Sequence, residues 1–119
     1  MTFRMTEEQQ LAVDGLRRFL DNEIEPKVRE YVDEGRFIPK PQMKEFLTAL
    51  SEFGLIRAPF PEEYGGLGLD WSTHLRLFEE VVYSSVDLAV PILINGGGAM
   101  ALLRASEELK NRYLPGLLT

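Results

Sequence analysis

Cysteine is absent, which removes disulfides, thiolate nucleophiles and thiolate-ligated metal sites together and makes a cytoplasmic chain the default expectation. Histidine occurs once, at His74. A single imidazole builds no His cluster, and no acidic residue stands beside it in sequence to orient it for catalysis. No apolar run approaches the ~20 residues that a membrane-crossing helix requires; the longest, Leu88 to Ile94, has the length of a core-helix segment. The opening residues Met1 to Glu8 lack the apolar centre of a secretion signal. Basic residues are scattered, 13 Lys and Arg against 19 Asp and Glu for a net charge of −6, which is the wrong balance for a nucleic-acid surface.

What is present suits one folded domain over residues 1–119. The chain is 45% hydrophobic and 27% charged, far from the composition of disorder, and a globule of this length buries a real core. Thr6-Glu7-Glu8-Gln9 has the form of a capping box and predicts a helix from about residue 7, with Ala12, Gly15, Leu16, Phe19 and Leu20 along its apolar side. Pro26 predicts a kink or break, followed by a shorter helix to about Glu34. Pro41 suits the first turn of a third helix, whose stripe is Met43, Phe46, Leu47, Leu50 and Phe53 and whose end falls at Gly54.

Residues 55–69 hold two prolines and three glycines among apolar side chains, and they predict a long ordered loop packed against the rest of the chain. Asp70 or Ser72 is placed to cap a fourth helix that carries Leu75, Phe78, Val81 and Val82 inward, and Asp87 to cap a fifth that runs to about Arg104. The fifth is apolar all round, the mark of a helix surrounded by protein. A sixth begins near Ser106, with Pro115-Gly116 expected to disturb it. The fold class predicted is therefore all-α: a bundle of about six helices with one long ordered loop.

Three features invite a functional reading. Gly65-Gly66-Leu67-Gly68 lacks the preceding strand and the Lys of a phosphate loop, so a tight turn with positive φ is preferred. Gly96-Gly97-Gly98 lies inside a buried helix, where small residues admit either a neighbouring helix or a ligand; taken alone, helix packing is the favoured reading. The paired acids Glu7-Glu8, Glu62-Glu63, Glu79-Glu80 and Glu107-Glu108 do not converge, since helical neighbours point in different directions, and two of the pairs sit at helix starts where the macrodipole favours them.

Three stretches together carry a resemblance. Leu50-Ser51-Glu52-Phe53-Gly54-Leu55, then Pro61-Glu62-Glu63-Tyr64-Gly65-Gly66-Leu67-Gly68-Leu69, then Ser106 through Pro115 (SEELKNRYLP) resemble, in order and spacing, the N-terminal domain of the acyl-CoA dehydrogenase family of flavoenzymes. The resemblance implies that residues 1–119 are that helical first domain, with the middle β domain and the C-terminal helical domain outside the chain. It further implies FAD as cofactor in the full-length enzyme, with little or none bound by this domain alone, and an acyl-CoA thioester as substrate. The implied reaction is abstraction of the α-proton by a Glu of the C-terminal domain with hydride passing from the β-carbon to the flavin; dehydrogenase, oxidase and monooxygenase relatives stay unseparated. No catalytic or metal-binding residue is expected in this chain. Its implied share is one wall of the acyl pocket, with Ile92, Leu93, Asn95 and Gly96 close to the acyl chain. A cytoplasmic homo-oligomer is implied for the full-length form. The rival expectation is a free-standing helical binding module without catalytic activity. Under the first reading, an exposed apolar patch is expected near the 55–69 loop and the fifth helix.

Overall fold

Thr6 starts the first helix by the reciprocal pairing that its sequence offers. Its hydroxyl accepts from the Gln9 backbone N–H at 3.1 Å, and the Gln9 side chain accepts from the Thr6 N–H at 3.1 Å. In the computed structural model, which describes residues 4–118, helix α1 then runs Glu7–Phe19. The start of the chain at Met1 and its last residue, Thr119, lie outside the described residues. The buried side of α1 is Val13 and Leu16, continued by Leu20 and Ile24, with Phe19 packed against them; of the expected stripe Ala12 is exposed and Val13 takes its place.

Pro26 does not break the chain. A single π-turn, Leu20–Ile24, passes directly into α2, Glu25–Asp33, with the Glu25 N–H bonded to the Leu20 carbonyl five residues back. Pro26 thereby falls in the first turn of α2, where its missing N–H has no partner to lose. Arg17 fastens this junction to α4, Trp71–Ser84, through Glu80 at 3.1 Å and Asp21 at 3.2 Å.

Helix α3, Lys40–Ser51, carries Pro41 in its first turn and buries Phe46 and Leu50. It ends three residues before Gly54, because 52–54 already form tight turns, with Phe53 N–H bonded to Leu50 O and Gly54 N–H to Ser51 O. Met43, Leu47 and Phe53 pack against the same core from the edge.

The 55–69 loop is ordered by its own backbone. Leu67 N–H donates to Arg57 O, Gly68 N–H to Phe60 O and Leu69 N–H to Ala58 O, all within 3.0 Å. A short 3-10 turn, Glu62–Tyr64, closes the tip. Gly66 lies so close to the returning chain that a Cβ there would sit 2.0 Å from the Phe60 carbonyl oxygen. The tight-turn reading of the glycine motif therefore holds, and Leu55, Ala58, Phe60 and Tyr64 are buried by it.

Asp70 caps α4, accepting from the Thr73 N–H at 2.9 Å. Of the expected inward set Val81 is buried and Phe78 packs against the core, whereas Leu75 and Val82 are exposed and Leu77 is buried in their place. Helix α5, Val86–Leu102, is capped by Ser85 rather than Asp87, which lies in its first turn. One face of α5 buries Leu88, Ala89, Ile92 and Ala99. The opposite face is uncovered among the described residues, with Leu93 62% and Ile94 69% exposed. Helix α6, Glu107–Leu118, runs straight through Pro115 and Gly116. Leu114 and Leu118, one turn apart on either side of Pro115, both enter a second core with Phe60, Tyr64 and Ala99, and that burial offsets the backbone bond that proline forfeits.

The six helices thus form a slab of 46 × 37 × 22 Å with two apolar centres. Its radius of gyration is 15.2 Å, against about 13.5 Å for a compact chain of this length. The flatness leaves the outer faces of α4 and α5 without a covering layer, and the expected apolar patch is there: Trp71, Leu75, Leu93, Ile94 and Met100 are all exposed large hydrophobics. No helix among the described residues is long and apolar enough to cross a membrane.

Candidate functional site

Helix α4 presents Trp71, His74 and Phe78 at intervals of three and four residues, the spacing that places side chains one above another on a single face. The rings form a row. Trp71 meets His74 edge-on at 5.6 Å between centroids and 90°, and His74 stacks on Phe78 at 6.2 Å and 17°. Phe60, held from behind by the 55–69 loop, continues the row with an edge contact to Trp71 at 6.3 Å.

Across from this row runs α5, with Ile92 and Leu93, then Gly96 and Gly97 one turn on, then Met100. The two walls enclose a cleft of about 160 Å3. A Cβ added at Gly96, Gly97 or Gly98 would meet nothing within 4 Å. Among the described residues the glycine run has no packed neighbour, and Gly96 and Gly97 leave the stretch of the α5 wall between Leu93 and Met100 without side chains.

Of the residues implied by the family resemblance, Ile92, Leu93 and Gly96 line this cleft. Ile92 is 4% exposed and forms its base, while Leu93 stands at its open edge. Asn95 lies elsewhere. It borders a separate groove with Leu47, Ile56 and Leu117, and its amide donates to the Leu117 carbonyl at 2.7 Å. That carbonyl is at the end of α6, where no intrahelical partner remains, so Asn95 ties α5 to α6.

The aromatic row of α4 was legible only in part. Phe78 is read from periodicity as a core residue, while Trp71 and His74 carry a recognisable three-residue spacing that has no meaning until the facing helix is known.

His74 is half-buried, and desolvation pushes its pKa below the ordinary value of 6.5. Its Nδ1 is buried without a hydrogen-bond partner. The ring is therefore a neutral, largely aromatic surface at pH 7. The sign of the linkage is fixed by that direction. Between the depressed folded pKa and the unfolded value, the unfolded chain binds the extra proton, so the stability associated with neutral His74 is fully present above about pH 6.5 and is lost as pH falls through that window. Urea unfolding from about pH 7.5 to about pH 5.5 is expected to show this fall, and His74→Phe to flatten it. An unchanged pH slope in the variant would contradict the assignment.

No charged side chain lines the cleft, so nothing there meets the pyrophosphate of a dinucleotide. FAD does not fit these walls, and they suit an apolar group instead. Among the described residues no three His, Cys, Asp or Glu side chains converge as metal ligands.

The three stretches that carry the family resemblance meet in space behind the cleft. A Cβ at Gly54, in the first, would press on Leu67 of the second at 2.7 Å. Tyr64 of the second donates its hydroxyl to Glu107 of the third at 3.0 Å, and Lys110 pairs with the other Glu107 oxygen at 2.6 Å. The Lys110 ammonium also lies 5.5 Å from the Tyr64 ring centroid. Burial first, and then the Glu107 contact, raise the Tyr64 pKa; hydrogen bonds from Lys110 and then Tyr64 lower that of Glu107. This cluster docks the loop that holds Phe60 onto α6.

Comparison with known proteins gives the family. Residues 6–119 match the family model described as acyl-CoA dehydrogenase, N-terminal domain. The chain is 34% identical over 116 residues to the probable acyl-CoA dehydrogenase FadE25 of Mycobacterium tuberculosis, covering 97% of this chain and 28% of that protein. It is 33% identical over 119 residues to the probable acyl-CoA dehydrogenase YngJ of Bacillus subtilis, covering 98% of this chain and 30% of the relative. With the cyclohex-1-ene-1-carbonyl-CoA dehydrogenase of Syntrophus aciditrophicus it shares 32% identity over 112 residues, covering 93% and 26%. The chain thus spans less than a third of the length of these relatives. With the capped helices, the glycine loop and its Tyr64–Glu107–Lys110 anchor all within the matched segment, this chain belongs to the acyl-CoA dehydrogenase family and corresponds to its N-terminal helical domain.

Proposed function

We propose that this domain forms one wall of the acyl pocket in an FAD-dependent acyl-CoA dehydrogenase that introduces a double bond between the α- and β-carbons of an acyl-CoA thioester. The observation that carries this reading is the uncharged cleft between α4 and α5, with aromatic rings on one side and glycines on the other. An acyl chain leaves water on entering it, and each buried methylene contributes about 0.8 kcal/mol to binding. A flavin held outside this chain would supply the hydride acceptor, and the proton-abstracting carboxylate would also come from outside it.

In this reading Ile92, Leu93 and Gly96 contact the acyl group, and Asn95 is a positioning residue that fixes α5 against α6. Excluding water is the domain's main chemical contribution, since the charged stages of proton removal depend on a dry site. The remaining apolar surface of α4 and α5 packs against the other domains of the longer protein. One relative is named for a cyclohexenecarbonyl group, and a glutaryl-CoA dehydrogenase of Desulfococcus multivorans is 30% identical over 121 residues, so membership of the family does not by itself name the acyl group.

The test is an anaerobic titration of the full-length protein with acyl-CoA thioesters, following the visible absorption of its flavin. Bleaching in proportion to thioester added is the expected result. A full-length protein that purifies without flavin, or whose colour persists with every thioester, would contradict the proposal and favour a binding module.

A further inference from the structure

The cleft's shape narrows the substrate class. We infer that it selects acyl groups carrying a six-membered ring beside the thioester over straight-chain acyl groups of the same carbon number; this rests on the acyl-pocket reading above. Three observations point the same way. The cleft, about 160 Å3 and open on one side, has room for a group the size of benzene, which fills an enclosed apolar cavity of roughly 150 Å3. One wall is a continuous aromatic row of Phe60, Trp71, His74 and Phe78, a broad apolar face against which a ring buries more area than a single file of methylenes. The facing wall is bare helix backbone at Gly96 and Gly97, so the slot has breadth where one side chain would reduce it to a channel one methylene wide.

The charge on His74 fits the same occupant. A protonated imidazole in the middle of the row would carry its hydration into the cleft, and burial holds the ring neutral instead.

The position that sets this breadth is Gly97. Leucine there meets nothing within 4 Å at its Cβ and replaces a poor helix former by a good one, so Gly97→Leu keeps the fold while filling the slot. Gly98→Leu makes the same chemical change one residue round the helix, outside the cleft lining.

The experiment uses the full-length protein with two saturated thioesters, cyclohexanecarbonyl-CoA and heptanoyl-CoA, which have equal carbon numbers in the acyl group. Wild-type protein is expected to show the higher kcat/KM with the cyclic thioester. Gly97→Leu is expected to lower the cyclic-to-linear ratio by about tenfold or more, the scale on which an apolar pocket discriminates, and Gly98→Leu to leave the ratio unchanged. Benzoyl-CoA, which has no saturated α,β bond to oxidise, gives a binding readout free of turnover: its Kd, measured by titration calorimetry, is expected to rise by a similar factor in Gly97→Leu alone. Preference of the wild type for heptanoyl-CoA, or an unchanged ratio and Kd in Gly97→Leu, would overturn the ring inference while turnover of heptanoyl-CoA left the acyl-pocket reading standing. No turnover and no binding of any of the three thioesters would overturn that reading and this inference with it.

Discussion

Gly66→Ala is expected to lower the stability of the domain by about 3 kcal/mol, the upper end for overpacking against a neighbour that has to move. The new methyl would lie 2.0 Å from the Phe60 carbonyl oxygen and 2.3 Å from its carbon. Both are backbone atoms, and the same carbonyl accepts the Gly68 N–H at 2.9 Å, so it has no free direction in which to yield. The loop would have to open, taking with it the hydrogen bonds that hold Phe60 behind the cleft. Gly65→Ala provides the contrast. Its Cβ meets nothing within 4 Å, but φ at that residue is +96°, so only conformational strain is felt, at about 1–2 kcal/mol. Urea unfolding of both variants checks the order: an alanine at position 66 no worse than one at 65 would mean that the loop does not fold back as described.

Phe60→Ala is expected to cost about 3–5 kcal/mol, the range for emptying the site of a large buried ring. Phe60 is 1% exposed and stands between the second core and the cleft, so its loss creates a void on one side and removes the ring that meets Trp71 on the other. Against a total stability of about 5–15 kcal/mol, this is a large fraction. Phe60→Leu, which keeps most of the volume, is expected to cost under about 2 kcal/mol. Thermal and urea unfolding measure both. If the alanine variant were as stable as the leucine variant, Phe60 would not be the shared wall assigned to it.

Local chemistry was the legible part of this fold. Thr6 and Gln9 announced a helix start that exists as written, Asp70 caps α4, and the crowded prolines and glycines of 55–69 marked an ordered loop whose backbone indeed closes on itself. Where two answers had similar local chemistry, the neighbours decided. Ser85 and Asp87 are both capable caps, and the extended backbone at Ser85, with its hydroxyl accepting from Leu88 N–H, settles the start of α5 there. Pro115 carries a strong break signal, but Leu114 and Leu118 need one continuous helix to reach the same core.

The register of α4 was hidden for a related reason. The helix is apolar on two faces: Leu77 and Val81 enter the core, while Trp71, His74 and Phe78 form the cleft wall. Periodicity reports that apolar residues recur, not which stripe faces which neighbour. The same limit applies to α5, whose all-round apolarity is split between a buried face and one left bare by this slab. The glycine run shows the gap most clearly, because absent side chains carry no directional pattern at all, and only the open space beside Gly96 and Gly97 reveals what their absence leaves room for.

Acyl groups are expected to enter the α4–α5 cleft, and Trp71 reports on it from the cleft wall. Trp71 is the chain's one tryptophan and is 44% exposed here. The direct measurement is acrylamide quenching of the full-length protein with and without a saturating acyl-CoA, with Trp71→Phe subtracting every other tryptophan. Quenching assigned to Trp71 is expected to fall when the thioester binds. Quenching that stays the same while the enzyme is saturated and turning over would place the acyl group elsewhere.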